Sequence, residues 1–375
     1  YKGSADSIAA PISRACRRRT YLMIDLSSFR RVHSSGSKTA KIALVGEAPG
    51  ETEESTGFPF MGSAGQELTR MLTEAGIARS DCYLTNVLSI RPPNNKLHEF
   101  CASRDDVGRE YSLPPLSNGK YLRPEFLPEL DRLREELLEV NPTVVVALGG
   151  TASWALLQQS GITAIRGVVA PGVLVPHKIL PTFHPSAVLR NWSFRTIVIV
   201  DLIKAAREST FLGIKRPERR VYYDPTVSDL AEIKEILLAA PILGTDIETK
   251  RKQISCIGFA PSISESYVIP FIDLRKPNGS YWSTAQEEYE AFDMVDSILS
   301  SDVPKLFQNG LYDMQYLLRM GFRLRNVKHD TMLLHHAKYP EMQKSLGFMG
   351  SVYTNEASWK TMRPRGEDAL KRDDE

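Results

Sequence analysis

Four short apolar runs, each separated from the next by a stretch with helical spacing, constrain this chain more than any other feature. Residues 42–45, 83–88, 143–148 and 173–182 read as strands. Between and after them, Leu68, Met71 and Leu72 mark a helix over 65–75. Pro124 opens a second helix that runs to Val140, a third surrounds Trp154, and a fourth covers 193–208. Buried strands alternating with helices predict a parallel sheet covered on both faces, a three-layer α/β/α sandwich. Such sheets hold ligands beyond the carboxyl ends of their strands.

The pattern breaks at 211–225, a basic stretch with two prolines and little periodicity. A second set follows: a helix over 227–239, strands at 242–247, 254–260 and 267–271, a helix over 284–299, a strand at 305–308 and a helix over 311–320. Strands first and helices later predict a second α/β domain with a mixed sheet. The expected organisation is a tail at 1–40 with a basic cluster (Arg14, Arg17, Arg18, Arg19), a domain at 41–210, a linker at 211–224 and a domain at 225–375. A length of 375 residues agrees, being too great for one ordinary core.

With 25% charged and 42% hydrophobic residues the chain has a globular composition. No apolar run reaches the ~20 residues that span a bilayer, and no partner membrane is expected. The net charge of +2 leaves nucleic-acid binding to local patches. Cys16, Cys82, Cys101 and Cys256 form no C-x-x-C pair, which speaks against a zinc ribbon and for free thiols in a reducing cytoplasm. The first residue is Tyr1, not Met, so the native start is expected upstream.

Unusual polar residues follow three of the strands. The first runs into Gly46-Glu47-Ala48-Pro49-Gly50, with Gly57-Phe58-Pro59-Phe60-Met61-Gly62 soon after. The second ends in Thr85-Asn86, and the last in Phe183-His184-Pro185-Ser186. Each alone reads as a turn, a strand cap or a loop histidine. Together they suit a small planar polar ligand: Asn pairs with a base edge, Phe stacks on its face, and His stabilises developing negative charge. From Val140 to Val200 there is no Asp or Glu, while Arg166, Lys178, Arg190 and Arg195 are present, a distribution suited to phosphate.

These motifs, with Arg91-Pro92-Pro93-Asn94-Asn95 and residues 184–190, resemble the uracil-DNA glycosylase superfamily, in its thermophile-type (family 4) group and the relatives fused to bacteriophage-type DNA polymerases. The resemblance covers 41–210. It implies that Glu47 positions or activates water, Phe60 stacks on flipped uracil, and Asn86 bonds the uracil edge. His184 would stabilise the leaving anion, and Glu53 would shape the pocket. Val188 and Leu189 would form an apolar wedge in the DNA; independently of the resemblance, the charges of Arg190 and Arg195 suit its backbone. The thermophile-type group holds an iron–sulfur cluster on four cysteines. Here Ile90 stands where that group has a cysteine, so no cluster is expected.

In the second domain, Asp246 and Glu248 in Thr245-Asp246-Ile247-Glu248-Thr249 share one face of a strand. Two adjacent carboxylates there are costly without a cation. Asp313 follows in Gln308-Asn309-Gly310-Leu311-Tyr312-Asp313. These residues, with 329–334 and 344–347, resemble the DEDD 3′→5′ exonucleases of family A DNA polymerases. That resemblance implies a ribonuclease H-like fold and two Mg²⁺ or Mn²⁺ ions held by Asp246, Glu248, Asp313 and a fourth carboxylate in a Tyr-x-x-x-Asp motif. No such motif follows Tyr353, and truncation before it is the simplest expectation. Asp330 is expected to cap a helix. The partners implied are uracil-containing DNA, single-stranded 3′ ends and a C-terminal polymerase domain, in a bacterial or phage-infected cell. A silent DNA-binding or uracil-sensing first domain, or an exonuclease acting on RNA, are the alternatives.

Overall fold

The structure is a computed structural model and describes residues 24–356. The basic cluster at 14–19, Cys16 and residues 357–375 lie outside the described residues. The chain divides into two compact units, Tyr1–Ile214 and Lys215–Glu375.

The first unit contains β1 (Ser35–Gly36), β2 (Ile42–Gly46), α1 (Glu51–Thr56), α2 (Ser63–Glu74) and β3 (Cys82–Asn86). A long excursion holds β4 (Cys101–Ala102), α3 (Arg104–Val107) and β5 (Tyr121–Leu122). Next come α4 (Leu127–Val140), β6 (Val144–Leu148), α5 (Gly150–Leu157), α6 (Ile162–Ile165) and β7 (Ala170–Pro171). The unit closes with β8 (Lys178–Thr182), α7 (Pro185–Arg190) and α8 (Phe194–Glu208). The sheet order is β1-β3-β2-β6-β8-β7. Its four central strands are parallel, and the two-residue edge strands β1 and β7 run antiparallel.

Strand alternation sends Ala43, Val45, Val145 and Ala147 into one core with Leu130, Leu133 and Leu137 of α4 and Leu156 of α5. Leu44, Val146 and Leu180, equally buried, point to the other face, where α2 and α8 pack. The last predicted strand is shorter than expected: 173–177 is the loop between β7 and β8, with the Gly172 amide bonded to the His177 carbonyl. The second strand ends at Asn86, because the Val87 and Leu88 amides turn to the carbonyls of Gly46 and Glu47.

The second unit contains β9 (Arg220–Tyr222), α9 (Leu230–Leu238), β10 (Leu243–Lys250), β11 (Gln253–Ala260) and β12 (Glu265–Pro270). It continues with α10 (Ala285–Leu299), β13 (Lys305–Phe307), α11 (Leu311–Arg319), β14 (Val327–Asp330), α12 (Thr331–Lys338) and α13 (Leu346–Tyr353). The sheet is mixed, ordered β14-β13-β10-β11-β12-β9. Part of the expected linker belongs to it, since β9 pairs in parallel with β12. Among the described residues no helix is long and apolar enough to cross a membrane.

Candidate functional sites

In the first unit, the carboxyl ends of β2 and β3 bring Phe60 and Asn86 against one glycine. A Cβ on Gly46 would stand 2.3 Å from Asn86 Oδ1 and 2.7 Å from Phe60 Cζ. Phe60 has a left-handed backbone, φ 56°. Its carbonyl lies so close to Gly65 that a Cβ there would meet it at 1.8 Å. Arg79 holds this loop by donating to the carbonyls of Pro59 and Phe60 at 3.2 and 3.0 Å. The Phe60 and His184 rings stand 6.4 Å apart, centre to centre.

Glu53 ties the two loops together. Its carboxylate accepts from the amides of Gly50, Met61 and Gly62 at 3.1, 2.9 and 2.8 Å. Glu47 accepts from Thr151 Oγ1 at 2.5 Å and lines a cleft of about 700 Å³ with Lys96, His98 and Lys120. Asn86 is buried, and its carbonyl accepts from Arg132 at 2.7 Å. Thr151, Arg79 and Arg132 escape sequence reasoning: each acts across at least one intervening element, and none shows a local pattern.

His184 caps α7. Its Nδ1 accepts from the Ser186 amide at 3.1 Å and lies 2.8 Å from Ser186 Oγ. Burial, and then Arg190, push the imidazolium down to about 4, against a weaker pull from Glu53. The ring is therefore neutral near pH 7, with its proton on Nε2.

The expected DNA-contacting residues divide. Val188 is fully buried, while Leu189, 46% exposed, and Arg190 face outward. Successive residues on a helix point about 100° apart, so Val188 turns into the core where Leu189 turns out of it. The Arg195 guanidinium pairs with Glu67 at 2.7 Å and with Glu74. Of the other basic residues in the acid-free stretch, Arg166 pairs with buried Asp201 and Lys178 with buried Glu208. Carboxylates from outside that stretch thus engage three of the four cations.

Ile90 is fully buried in an apolar cluster with Phe29, Phe100 and Phe126. The Phe29 and Phe100 rings meet edge to face, 5.7 Å apart. Cys101 Sγ lies 3.6 Å from the Leu97 carbonyl, and burial pushes its thiol up to about 11. The described residues around Ile90 therefore do not fit an iron–sulfur cluster: they offer one thiol and hydrocarbon where four thiolates are required.

In the second unit, Leu243, Thr245 and Ile247 of β10 are buried, while Asp246 and Glu248 lie on its exposed face. β13 pairs with β10 only at Leu243 and Gly244. Further along, Asp313 Oδ1 accepts from the Ile247 amide at 3.0 Å. Asp313 is thereby fixed beside the residue that separates Asp246 from Glu248. Although Asp246 stays exposed, desolvation of its carboxyl, then repulsion from Asp313 and Glu248, lift it to about 6. Asp313 is also raised, first by burial. Asp330 caps α12 and accepts from the Asn309 and Gly310 amides at 3.1 and 2.8 Å, setting the turn that starts α11. Three carboxylates on two adjoining elements are a donor set that fits a hard divalent cation. As placed, no three His, Cys, Asp or Glu side chains among the described residues stand close enough to hold one.

Comparison with solved structures returns Escherichia coli RNase D, an exoribonuclease involved in structured RNA processing. It is 17% identical with a TM-score of 0.28, over 39% of this chain and 36% of that one, a loose likeness that assigns nothing by itself. A "DNA polymerase" of Bacillus phage SP01 is 26% identical over 168 residues, covering 44% of this chain and 16% of the polymerase. A "Type-4 uracil-DNA glycosylase" of Thermotoga maritima is 35% identical over 198 residues, covering 52% of this chain and 91% of that protein. The profile of the uracil DNA glycosylase superfamily matches residues 33–203, which span β2, β3, β6 and β8 together with Glu47, Phe60, Asn86 and His184. Through this region the chain belongs to the uracil DNA glycosylase superfamily.

Proposed function

We propose that the first unit excises uracil from DNA and that the second trims DNA from its 3′ end with divalent metal. The observation that carries the first reading is the approach of Phe60 and Asn86 to Gly46, with a neutral, backbone-anchored His184 beside Phe60. In this reading a flipped uracil stacks on Phe60 and pairs with the Asn86 amide. As the bond from C1′ to the base breaks, the base leaves with the electron pair. His184 Nε2–H donates a hydrogen bond to the developing oxyanion; a neutral imidazole does so without giving up its proton. Glu47, with one oxygen held by Thr151, orients the water that adds to C1′. Leu189 enters the stack and Arg190 meets phosphate.

The second reading is supported by Asp246, Glu248 and Asp313. Bound Mg²⁺ or Mn²⁺ would activate water and stabilise the leaving oxygen. The protein's part is to present Asp246 and Glu248 on one strand face with Asp313 oriented by the Ile247 amide, and metal binding would draw the three carboxylates together. The match to a phage polymerase supports a polymerase-associated setting for the pair of activities. The test is uracil release from a uracil-containing oligonucleotide. The parent should act, and Asn86→Ala should lose about 1–3 kcal/mol of discrimination against thymine, the scale of a buried hydrogen bond. An Asn86→Ala variant that matches the parent would sink the assignment.

A further inference from the structure

Trp192 is 62% exposed, whereas Trp154 and Trp282 are buried. Its backbone is fixed: Asn191 N bonds to Ala187 O at 2.8 Å, Phe194 N to Asn191 O at 3.1 Å, and Arg195 N to Trp192 O at 3.0 Å. One face of the indole is occupied by the Arg195 guanidinium, 5.1 Å from the ring centre. That guanidinium is itself held by Glu67 and Glu74. The indole is thus braced from one side and open on the other, with its ordering cost met before any partner arrives. Leu189, three residues earlier, is 46% exposed, and Arg190 beside it is exposed as well. An aromatic face, an aliphatic tip and an exposed cation lie within four residues, on the segment that begins at His184.

We propose that the open face of Trp192 stacks on a nucleobase next to the flipped nucleotide, giving the first unit a grip on DNA separate from the uracil slot. This rests on reading the first unit as a DNA-binding glycosylase site. A base suits the face because every base offers a π surface and the adjoining Arg190 suits its phosphate. A protein partner would need a wider apolar patch than these side chains provide. The base belongs either to the uracil-bearing strand or to the opposite strand.

The experiment is a fluorescence titration of the full chain, in EDTA, with a hairpin duplex carrying one tetrahydrofuran abasic site, so that no uracil chemistry is required. Binding should quench tryptophan emission in the parent. Trp192→Phe should lose that quench and keep most of the affinity, while Trp192→Ala should bind roughly tenfold more weakly, the effect of one lost base stack. Circular dichroism checks that both variants are folded. Quenching that persists in Trp192→Phe, or a Trp192→Ala variant that binds as the parent does, overturns the proposal. A single-stranded abasic oligonucleotide separates the sources: an equal quench assigns the base to the uracil-bearing strand, and a quench with duplex alone assigns it to the opposite one. A chain that releases no uracil yet shows the Trp192-dependent quench leaves the stacking intact and removes only the glycosylase reading.

Discussion

At His184 the Ser186 amide points at Nδ1, and burial with Arg190 nearby holds the folded-state pKa near 4, below the ordinary value of 6.5. The linkage follows from that direction. Above pH 6.5 the residue is neutral in both the folded and the unfolded chain and costs nothing. As pH falls from 6.5 towards 4, the unfolded chain takes up a proton that the folded one refuses, and stability is lost. The full difference is on the order of 3 kcal/mol. Thermal unfolding of His184→Gln should therefore depend less on pH across this window than unfolding of the parent. Equal pH slopes for the two proteins would contradict it. The position of His184 was legible in the sequence, because it follows a strand and precedes a proline. Its protonation was not, since that depends on Arg190 and on how deeply the ring is buried.

Elements are joined here by polar ties that cross the sheet's edge. Arg166, next to α6, makes a two-point contact with Asp201 of α8, which also accepts from Thr182 of β8 at 2.6 Å. Lys178 at the other end of β8 reaches the Glu208 and Phe211 carbonyls at the end of α8. The strand is thus pinned at both ends, to the middle of α8 and to its carboxyl end. Replacing Asp201 by Ala removes the carboxylate that compensates a buried guanidinium, a change that costs about 3–5 kcal/mol. Denaturant unfolding should show a lower midpoint for the first unit in Asp201→Ala; an unchanged midpoint would rule out a structural role for the pair. The acid-free run from Val140 to Val200 suggested a basic surface, but cations and anions far apart in the chain meet when the helix docks. A linear charge count cannot register that pairing. The same limit applies to the wedge, where burial separates Val188 from Leu189 although sequence treats them alike.

For the whole molecule, each unit has its own hydrophobic core and its own polar corner. The two activities should therefore fail separately. In a paired assay, Asp246→Ala should abolish Mg²⁺-dependent 3′ digestion and leave uracil release near the parent rate. Asn86→Ala should weaken uracil discrimination by about 1–3 kcal/mol and leave 3′ digestion near the parent rate. Loss of both activities in either folded variant would mean that the sites are not independent. The sequence alone determined that there are two α/β units, because hydrophobic periodicity and strand alternation are local properties set by backbone geometry. It also determined which residues stand at the strand ends, since Gly46, Asn86 and His184 follow apolar runs directly. Tertiary structure decided the rest. It selected which charges are neutralised, placed Arg79, Arg132 and Thr151 behind the site, drew β9 out of the expected linker, and set Asp313 against Ile247 where β13 leaves β10. These outcomes depend on which surfaces meet after folding, and burial and pairing across many residues of chain leave no periodic trace in the order of amino acids.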